Sequence, residues 1–237
     1  MTYQHQGQAP EHRINTRASV VEAILFDLDG TLADSAPDLG TALNFLLLEE
    51  DKEPLPLEQT RPHTSNGVRG MLGAGFNLRP GDAPYAGLAK RFLDHYERVL
   101  CQGTTLFPGV LGLLGNLDER GIRWGIVTNK MQRFTLPLVE GLGLRQRAAC
   151  IISGDSSPRA KPHPDPLLLG CIAAQVPPSR SLYVGDDLRD IEAGRSAGLG
   201  TVAAAYGYLG VATPIEAWQA DVVVTQPGQI LGLLGGA

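Results

Sequence analysis

The sequence predicts an α/β fold in which a Rossmann-like core with a parallel sheet carries a helical insertion after its first strand. Short apolar runs rich in β-branched residues alternate with segments of helical spacing, a pattern typical of strands joined by crossover helices. Polar residues directly follow several of these runs, and ligands of such sheets bind at the carboxyl ends of the strands. Residues 35–105, by contrast, show helical spacing without a convincing strand.

The first predicted strand covers residues 20–28, where an apolar run ends in acidic residues and a glycine. Similar short runs predict further strands at 122–128, 150–153 and 181–184, with weaker candidates at 201–205 and 221–224. Helical spacing lies between these runs, at Val110, Leu113, Leu114 and Leu117, and again at 167–174 and 191–197. The alternation predicts crossover connections and therefore a parallel sheet.

The insertion shows two clear helical patterns. One consists of Leu39, Leu43, Leu46 and Leu47, and the other of Tyr85, Leu88, Phe92, Tyr96 and Val99. Prolines and glycines between them predict a division into three or four helices. We therefore predict a disordered N-terminal arm at 1–19, a core formed by 20–34 and 106–237, and a helical domain at 35–105.

Length and composition indicate a globular protein with one large domain or a domain carrying an insertion. The chain has 237 residues, of which 43% are hydrophobic and 19% are charged, so wholesale disorder is excluded. The formal net charge is -5 and no five Lys or Arg residues follow one another, which predicts that nucleic acid is not a partner.

The sequence also lacks the features expected of membrane or exported proteins. No apolar run approaches the ~18 residues of a membrane helix, and the polar first nineteen residues lack the apolar core of a signal peptide. The three cysteines show no CxxC spacing, which argues against a disulfide framework or a zinc site. We predict a cytoplasmic protein with no membrane partner and with buried, apolar thiols.

The segment FDLDGTL, residues 26–32, places Asp27 and Asp29 at the end of the first predicted strand. Side chains two residues apart on a strand point the same way, so both carboxylates would face one site. Aspartates at a strand end also commonly cap turns or helix starts, and this segment alone leaves both interpretations open. Three later segments supply partners: Thr128 in VTNK, Lys161 in AKPHPDP, and Asp186 with Asp190 in GDDLRD.

These four motifs, in this order, resemble those of the haloacid dehalogenase-like (HAD) phosphohydrolase superfamily over nearly the whole chain after residue 20. The resemblance implies a phosphatase that uses Mg²⁺ and a small phosphate ester. Asp27 would be the nucleophile that forms an aspartyl-phosphate, and Asp29 the general acid and base. The resemblance also makes the helical insertion a C1-type cap that closes over the substrate.

The resemblance assigns further roles residue by residue. Asp27, the backbone carbonyl of Asp29, and Asp186 would bind the metal, with Asp187 and Asp190 supporting them. Thr128, Asn129 and Lys161 would contact the phosphate. Within the cap, the polar stretch 61–72 is the candidate for substrate recognition, through His63, Ser65, Asn66 and Arg69. Arg69 is suited to pair with a carboxylate, although a capped helix start with exposed arginines is the alternative.

Within the superfamily the chain resembles the phosphoglycolate phosphatase branch, through FDLDGTLADSAPDL and VGDDLRDIEAGRSAG. It is also similar to the N-acetylmuramic acid 6-phosphate phosphatases, through RWGIVTNKMQRFT and the later AAAYGYLG and WQADVVV. Both substrates carry a carboxylate near a phosphate ester. The alternatives are a phosphatase for another sugar or biosynthetic phosphate, a β-phosphoglucomutase-like phosphomutase, and a non-enzymatic phospho-Asp signalling or binding module.

Overall fold

The computed structural model describes residues 21–210 and 213–234, so the predicted arm at 1–19 lies outside the described residues. Its main sheet has six strands: β1 Ala23–Phe26, β4 Arg123–Val127, β5 Ile151–Ile152, β6 Ser181–Gly185, β7 Gly200–Ala204 and β8 Val222–Val224. Their order in the sheet is β5-β4-β1-β6-β7-β8, and every neighbouring pair is parallel. The parallel sheet places β1 between β4 and β6, so residues that follow these three strands meet at one edge.

Helices cover both faces of the sheet. All four residues of β1 are apolar and buried, and successive side chains point to opposite faces, so both faces need a covering layer. Ile24 and Phe26 pack in one hydrophobic cluster with residues of α5 (Val110–Glu119) and α6 (Gln132–Gly141). Leu25 packs in a second cluster with residues of α7 (Asp165–Ala174) and α8 (Leu188–Ala197). The core is therefore a three-layer α/β structure that fixes the central strand from both sides.

The segment between β1 and α5 forms a helical unit with its own hydrophobic core. Its elements are α1 Ala36–Glu49, α2 Leu57–Thr60, a 3₁₀ helix at Arg61–Asn66, α3 Gly67–Phe76 and α4 Tyr85–Val99. Leu43, Leu46, Met71 and Phe92 are fully buried among them. Phe134 of α6 joins the same cluster, so this cap packs against the core through an aromatic contact. The predicted fold class is confirmed.

Two short strands form the connections between the core and the cap. β2 (Ala33–Asp34) pairs antiparallel with β3 (Thr105–Leu106), next to the boundaries predicted at 35 and 105. The buried Asp38 carboxylate accepts hydrogen bonds from the Gly103 amide at 2.6 Å and the Thr104 hydroxyl. The sequence did not predict this pairing, because strands of two residues have no detectable periodicity.

Candidate active site

Asp27 and Asp29 lie in the loop that follows β1, which ends at Phe26 rather than at Leu28 as predicted. The Asp27 amide donates to Val184 O of β6 at 2.9 Å, and this bond extends the sheet contact into the loop. Gly30 follows with a φ of 88°, a left-handed conformation that favours glycine. A Cβ on Gly30 would lie 2.1 Å from Asp186 Oδ2, so the absence of a side chain lets the two loops meet.

Asp186 follows β6 and is completely buried. It accepts hydrogen bonds from the Tyr208 amide at 2.9 Å, the Thr31 hydroxyl at 3.2 Å and the Ser65 hydroxyl of the cap at 3.4 Å. Burial, together with the negative charges of Asp27 and Asp190, raises the pKa of Asp186 well above its ordinary value. This acid is therefore strongly destabilised in its charged form unless a cation lies beside it.

Carboxylate oxygens of Asp27, Asp186 and Asp190 all lie within 4.8 Å of one another. Such a set of hard oxygen donors is suited to Mg²⁺ or a similar divalent cation, and it offers no nitrogen or sulfur ligand. All three carboxylates could therefore hold such an ion, and Asp190 is the one that lies nearest to the Lys161 ammonium, at 2.7 Å. Its Oδ1 accepts from Lys161 Nζ and its Oδ2 from the Asp187 amide.

Lys161 is the buried cation of the site, with 5% of its surface exposed. Its Nζ lies 3.0 Å from Asp27 Oδ1 and 2.7 Å from Asp190 Oδ1, and it donates to the Tyr183 hydroxyl at 2.7 Å. Burial lowers the pKa of Lys161, but the attraction of Asp190 and Asp27 outweighs it and the pKa is raised. Lys161 thus stays charged and compensates the carboxylates around it.

Asn129 and Thr128 follow β4 and line the same cavity as Asp27. The Asn129 side chain forms two hydrogen bonds with the backbone of Lys161. Its Nδ2 donates to Lys161 O, and its Oδ1 accepts from Lys161 N, each at 2.9 Å. The amide therefore positions Lys161, a role that differs from the predicted phosphate contact. Thr128 is buried, and its hydroxyl accepts from the Lys130 amide at 3.2 Å.

Lys130 is a residue of the site that was not predicted from the sequence. Its Nζ lies 3.0 Å from Asp29 Oδ1, and it donates to the Tyr96 hydroxyl of the cap at 2.6 Å. Asp29 also accepts a hydrogen bond from the Ser35 hydroxyl at 2.5 Å. The only signal in the sequence was the position of Lys130 two residues after Thr128, at the end of a predicted strand.

Asp187 is the N-cap residue of helix α8. Its Oδ1 accepts from the Arg189 amide at 3.1 Å, while Asp190 Oδ2 accepts from the Asp187 amide, forming a capping box. Arg189 Nη2 donates to Asp187 Oδ2 at 2.5 Å and holds the pKa of Asp187 below its ordinary value, against the effect of burial. The structure thus shows Asp187 as the residue that caps α8, a role different from the predicted support of the metal ligands.

Of the four cap residues predicted to recognise the substrate, two contact the core and two do not line the cavity that contains Asp27. Ser65 contacts Asp186, and Asn66 Oδ1 accepts from Arg189 Nη2 at 3.1 Å, so both reach the core. Arg69 is exposed and donates to Asn66 Oδ1 at 3.2 Å. His63 is half-buried and does not line the cavity that contains Asp27.

Core and cap together enclose a cavity of about 250 Å³. Its polar end contains Asp27, Asp29, Thr128, Lys130 and Lys161, and its apolar wall includes Leu39, Phe92, Leu93, Met131 and Phe134. A second, larger depression of about 510 Å³ shares the lining residues Asn66, Asn129, Lys161, Asp187 and Arg189. Both spaces thus lie along the boundary between core and cap, where Arg189 belongs to the core and Asn66 to the cap. Among the residues that the structure describes, no helix is long and apolar enough to cross a membrane.

Curated relatives match nearly the whole chain. It is 37% identical over 217 residues to the N-acetylmuramic acid 6-phosphate phosphatase of Pseudomonas aeruginosa, covering 92% of this chain and 96% of that protein. It is 45% identical over 209 residues to the phosphoglycolate phosphatase of Xanthomonas campestris pv. campestris, covering 88% of this chain and 94% of that protein.

A solved structure and a family model also resemble this chain over most of its length. The crystal structure of a predicted phosphoglycolate phosphatase from Haemophilus somnus 129PT superposes with a TM-score of 0.79 at 28% identity, covering 90% of this chain and 98% of that one. The family model described as haloacid dehalogenase-like hydrolase matches residues 24–204. The resemblance inferred from the four motifs is confirmed, and the chain belongs to the haloacid dehalogenase-like hydrolase family.

Proposed function

We propose that this chain is a phosphatase that hydrolyses a small phosphate monoester through an aspartyl-phosphate on Asp27. The contact of Asp27 with the buried Lys161 at 3.0 Å, in a cavity that Asp29 and Thr128 also line, is the observation that carries the proposal. An anionic nucleophile must meet a phosphate dianion here, and only preorganised positive charge makes that encounter favourable. The names of the relatives, both phosphatases, support the same reaction class.

In the first step an Asp27 oxygen attacks phosphorus while the bond from phosphorus to the leaving oxygen breaks. Asp29 donates its proton to that oxygen, so the organic group leaves as an alcohol. In the second step Asp29 accepts a proton from the water that attacks the phosphorus of phospho-Asp27. Inorganic phosphate leaves, and the Asp27 carboxylate is regenerated.

Other residues hold the charges in place during both steps. Lys161 balances the charge shared between Asp27 and the phosphoryl oxygens, and Asn129 fixes the backbone that carries it. Thr128, buried beside them, is placed to donate its hydroxyl to a phosphoryl oxygen. Mg²⁺, when bound by Asp27, Asp186 and the backbone carbonyl of Asp29, supplies positive charge that neutralises the transferring group.

For the substrate we propose a phosphate ester that also carries a carboxylate, either 2-phosphoglycolate or N-acetylmuramic acid 6-phosphate. The names of the relatives support both. The cavity of about 250 Å³ suits a small acid, and the larger depression, which shares five of its lining residues, would give a sugar room to extend.

The test is phosphate release with Mg²⁺ from the two esters side by side, compared as specificity constants. A tenfold preference, equivalent to about 1.4 kcal/mol of transition-state binding, would identify the substrate. Absence of phosphate release from both esters and from p-nitrophenyl phosphate would overturn the proposed function.

A further inference from the structure

Arg189 borders both the cavity of about 250 Å³, called the inner cavity below, and the depression of about 510 Å³, called the outer depression. It is the second residue of α8, lines both spaces, and has a side chain that is 21% exposed. Its Nη2 donates to Asp187 Oδ2 on its own helix and to Asn66 Oδ1 of the cap. The guanidinium is therefore held between core and cap, beside the inner cavity.

The guanidinium has hydrogen-bonding capacity left. An arginine carries five N–H donors in a planar fork, and within the described part of the chain only Nη2 of Arg189 donates a side-chain bond. No buried side-chain nitrogen or oxygen lacks a partner among the described residues, so Nη1 and Nε are not sealed inside the protein. These donors are available to a ligand in the cavity.

The other two cations that line the inner cavity, Lys161 and Lys130, already bind acidic side chains of the reaction centre. Lys161 is enclosed by Asp27 and Asp190, and Lys130 is bound to Asp29 and Tyr96. A second anionic group on the substrate, away from the phosphate, has no partner among these two lysines. A guanidinium presents parallel donors that match the two oxygens of a carboxylate, which an ammonium does not.

Arg69 is the cation that the sequence favoured for this role. The structure gives it a weaker position, because it lines only the outer depression and is exposed to solvent. Its Nη2 bonds Asn66 Oδ1, the same atom that accepts from Arg189. Exposed ion pairs contribute little, whereas a partly enclosed guanidinium interacts with a carboxylate more strongly.

We propose that Arg189 binds the carboxylate of the substrate and is the specificity-determining residue for esters that carry an acid group. This inference rests on the proposed function, since it assigns a recognition partner in the same site. Asp187 and Asn66 hold the guanidinium through Nη2, and its other donors would bind the carboxylate. Arg69 then has no direct role in binding the carboxylate.

The experiment compares matched substrate pairs that differ in the carboxylate. 2-Phosphoglycolate is paired with 2-hydroxyethyl phosphate, and N-acetylmuramic acid 6-phosphate with N-acetylglucosamine 6-phosphate, which lacks the lactyl group. The variants are Arg189→Gln, Arg189→Lys and, as a matched surface control, Arg145→Gln, whose guanidinium forms only an exposed pair with Glu140. Thermal unfolding of each variant checks the fold.

We expect Arg189→Gln to lower kcat/KM for a carboxylated ester about 10- to 100-fold more than for its neutral partner, since a charge-assisted hydrogen bond is lost. Arg189→Lys keeps a cation beside Asp187 and should recover part of the preference, which tests the inference even if the glutamine variant unfolds. Arg145→Gln should leave kcat/KM unchanged for both members of each pair.

Three results would contradict the inference. Equal losses on both members of a pair would mean that Arg189 acts only through Asp187 and helix α8. Wild-type kcat/KM values on both members of a pair, in Arg189→Gln and in Arg189→Lys, would remove Arg189 from recognition. A wild-type protein that hydrolyses none of the four esters would overturn the proposed function and this inference together, whereas the first two results overturn the inference alone.

Discussion

The Lys130 ammonium lies 3.0 Å from Asp29 Oδ1, so the residue proposed to exchange protons with the substrate is held by a cation from the neighbouring strand end. The same Nζ donates to the Tyr96 hydroxyl on α4 and lies 4.6 Å from the centre of its ring. Burial lowers the pKa of Lys130, but attraction to Asp29 and Tyr96 outweighs it and raises the pKa above its ordinary value. A permanently charged lysine thus links Asp29 to the position of the cap.

Replacing Lys130 with methionine should lower kcat about 10- to 100-fold with a smaller change in KM, because Asp29 loses the group that orients it. Steady-state kinetics on p-nitrophenyl phosphate measures both constants. Tyr96→Phe keeps the ring and removes only the hydroxyl, so it should lose less. A Lys130→Met enzyme with an unchanged kcat would exclude this positioning role.

Asp27→Asn should reduce turnover by more than about 10³-fold while the protein stays folded, since the amide cannot act as the nucleophile. Asp94→Asn, which removes an acid from an exposed pair with Lys90, is the control and should keep wild-type rates. Asp29→Asn should also leave little turnover, and with p-nitrophenyl phosphate, whose leaving group departs without a proton, phosphoenzyme should accumulate because the second step lacks its base. Near-normal rates in Asp27→Asn or Asp29→Asn would refute the mechanism.

Chelation should stop the reaction and Mg²⁺ should restore it, because Asp27 and the buried Asp186 carry like charges close together that a cation compensates. The ion should also raise the unfolding temperature of the wild-type protein, as any ligand of the folded state does. Asp186→Asn should lose most of that increase. Full activity in excess EDTA would argue against the metal site.

Gly30→Ala should abolish activity and weaken Mg²⁺ binding. The new Cβ would lie 2.1 Å from Asp186 Oδ2, and alanine disfavours the φ of 88° found here. Gly112→Ala in α5 is the matched control, since nothing lies within 4 Å of its Cβ, and alanine there should stabilise the protein by up to about 1 kcal/mol. Activity and unfolding temperature together measure both effects, and an active Gly30→Ala would show that Asp186 tolerates displacement.

Cys150 should not react with thiol reagents at pH 8 in the native protein. Burial disfavours the thiolate and raises the pKa of Cys150 to about 12, so the reactive form is scarce until the pH approaches that value. Cys171 is also buried, while Cys101 is half-buried, unlike the uniformly buried thiols predicted from composition. Mass spectrometry after brief labelling at pH 8 should find Cys101 modified first, and all three cysteines should react once the chain is unfolded. Rapid labelling of native Cys150 would contradict this placement.

The sequence alone determined the fold class and the family. The strand runs predicted at 20–28 and 122–128 contain β1 and β4, and the run at 181–184 covers all of β6 except its last residue, because buried parallel strands require continuous apolar segments. The polar residues at their ends, such as Asp27, Thr128 and Asp186, could be expected to meet, since parallel strands end at one edge of a sheet.

Only the tertiary structure decided which side chains pair across that edge. Lys130 reaches Tyr96 of the cap, Asn129 holds the backbone of Lys161, and Arg189 meets Asn66 across the boundary between cap and core. These partners are separated by tens to more than a hundred residues in the chain, and their contacts depend on loop conformations and on the packing of the cap. Local periodicity encodes which face of a strand or helix is buried, but not the distance between two loops that meet only after the whole chain has folded.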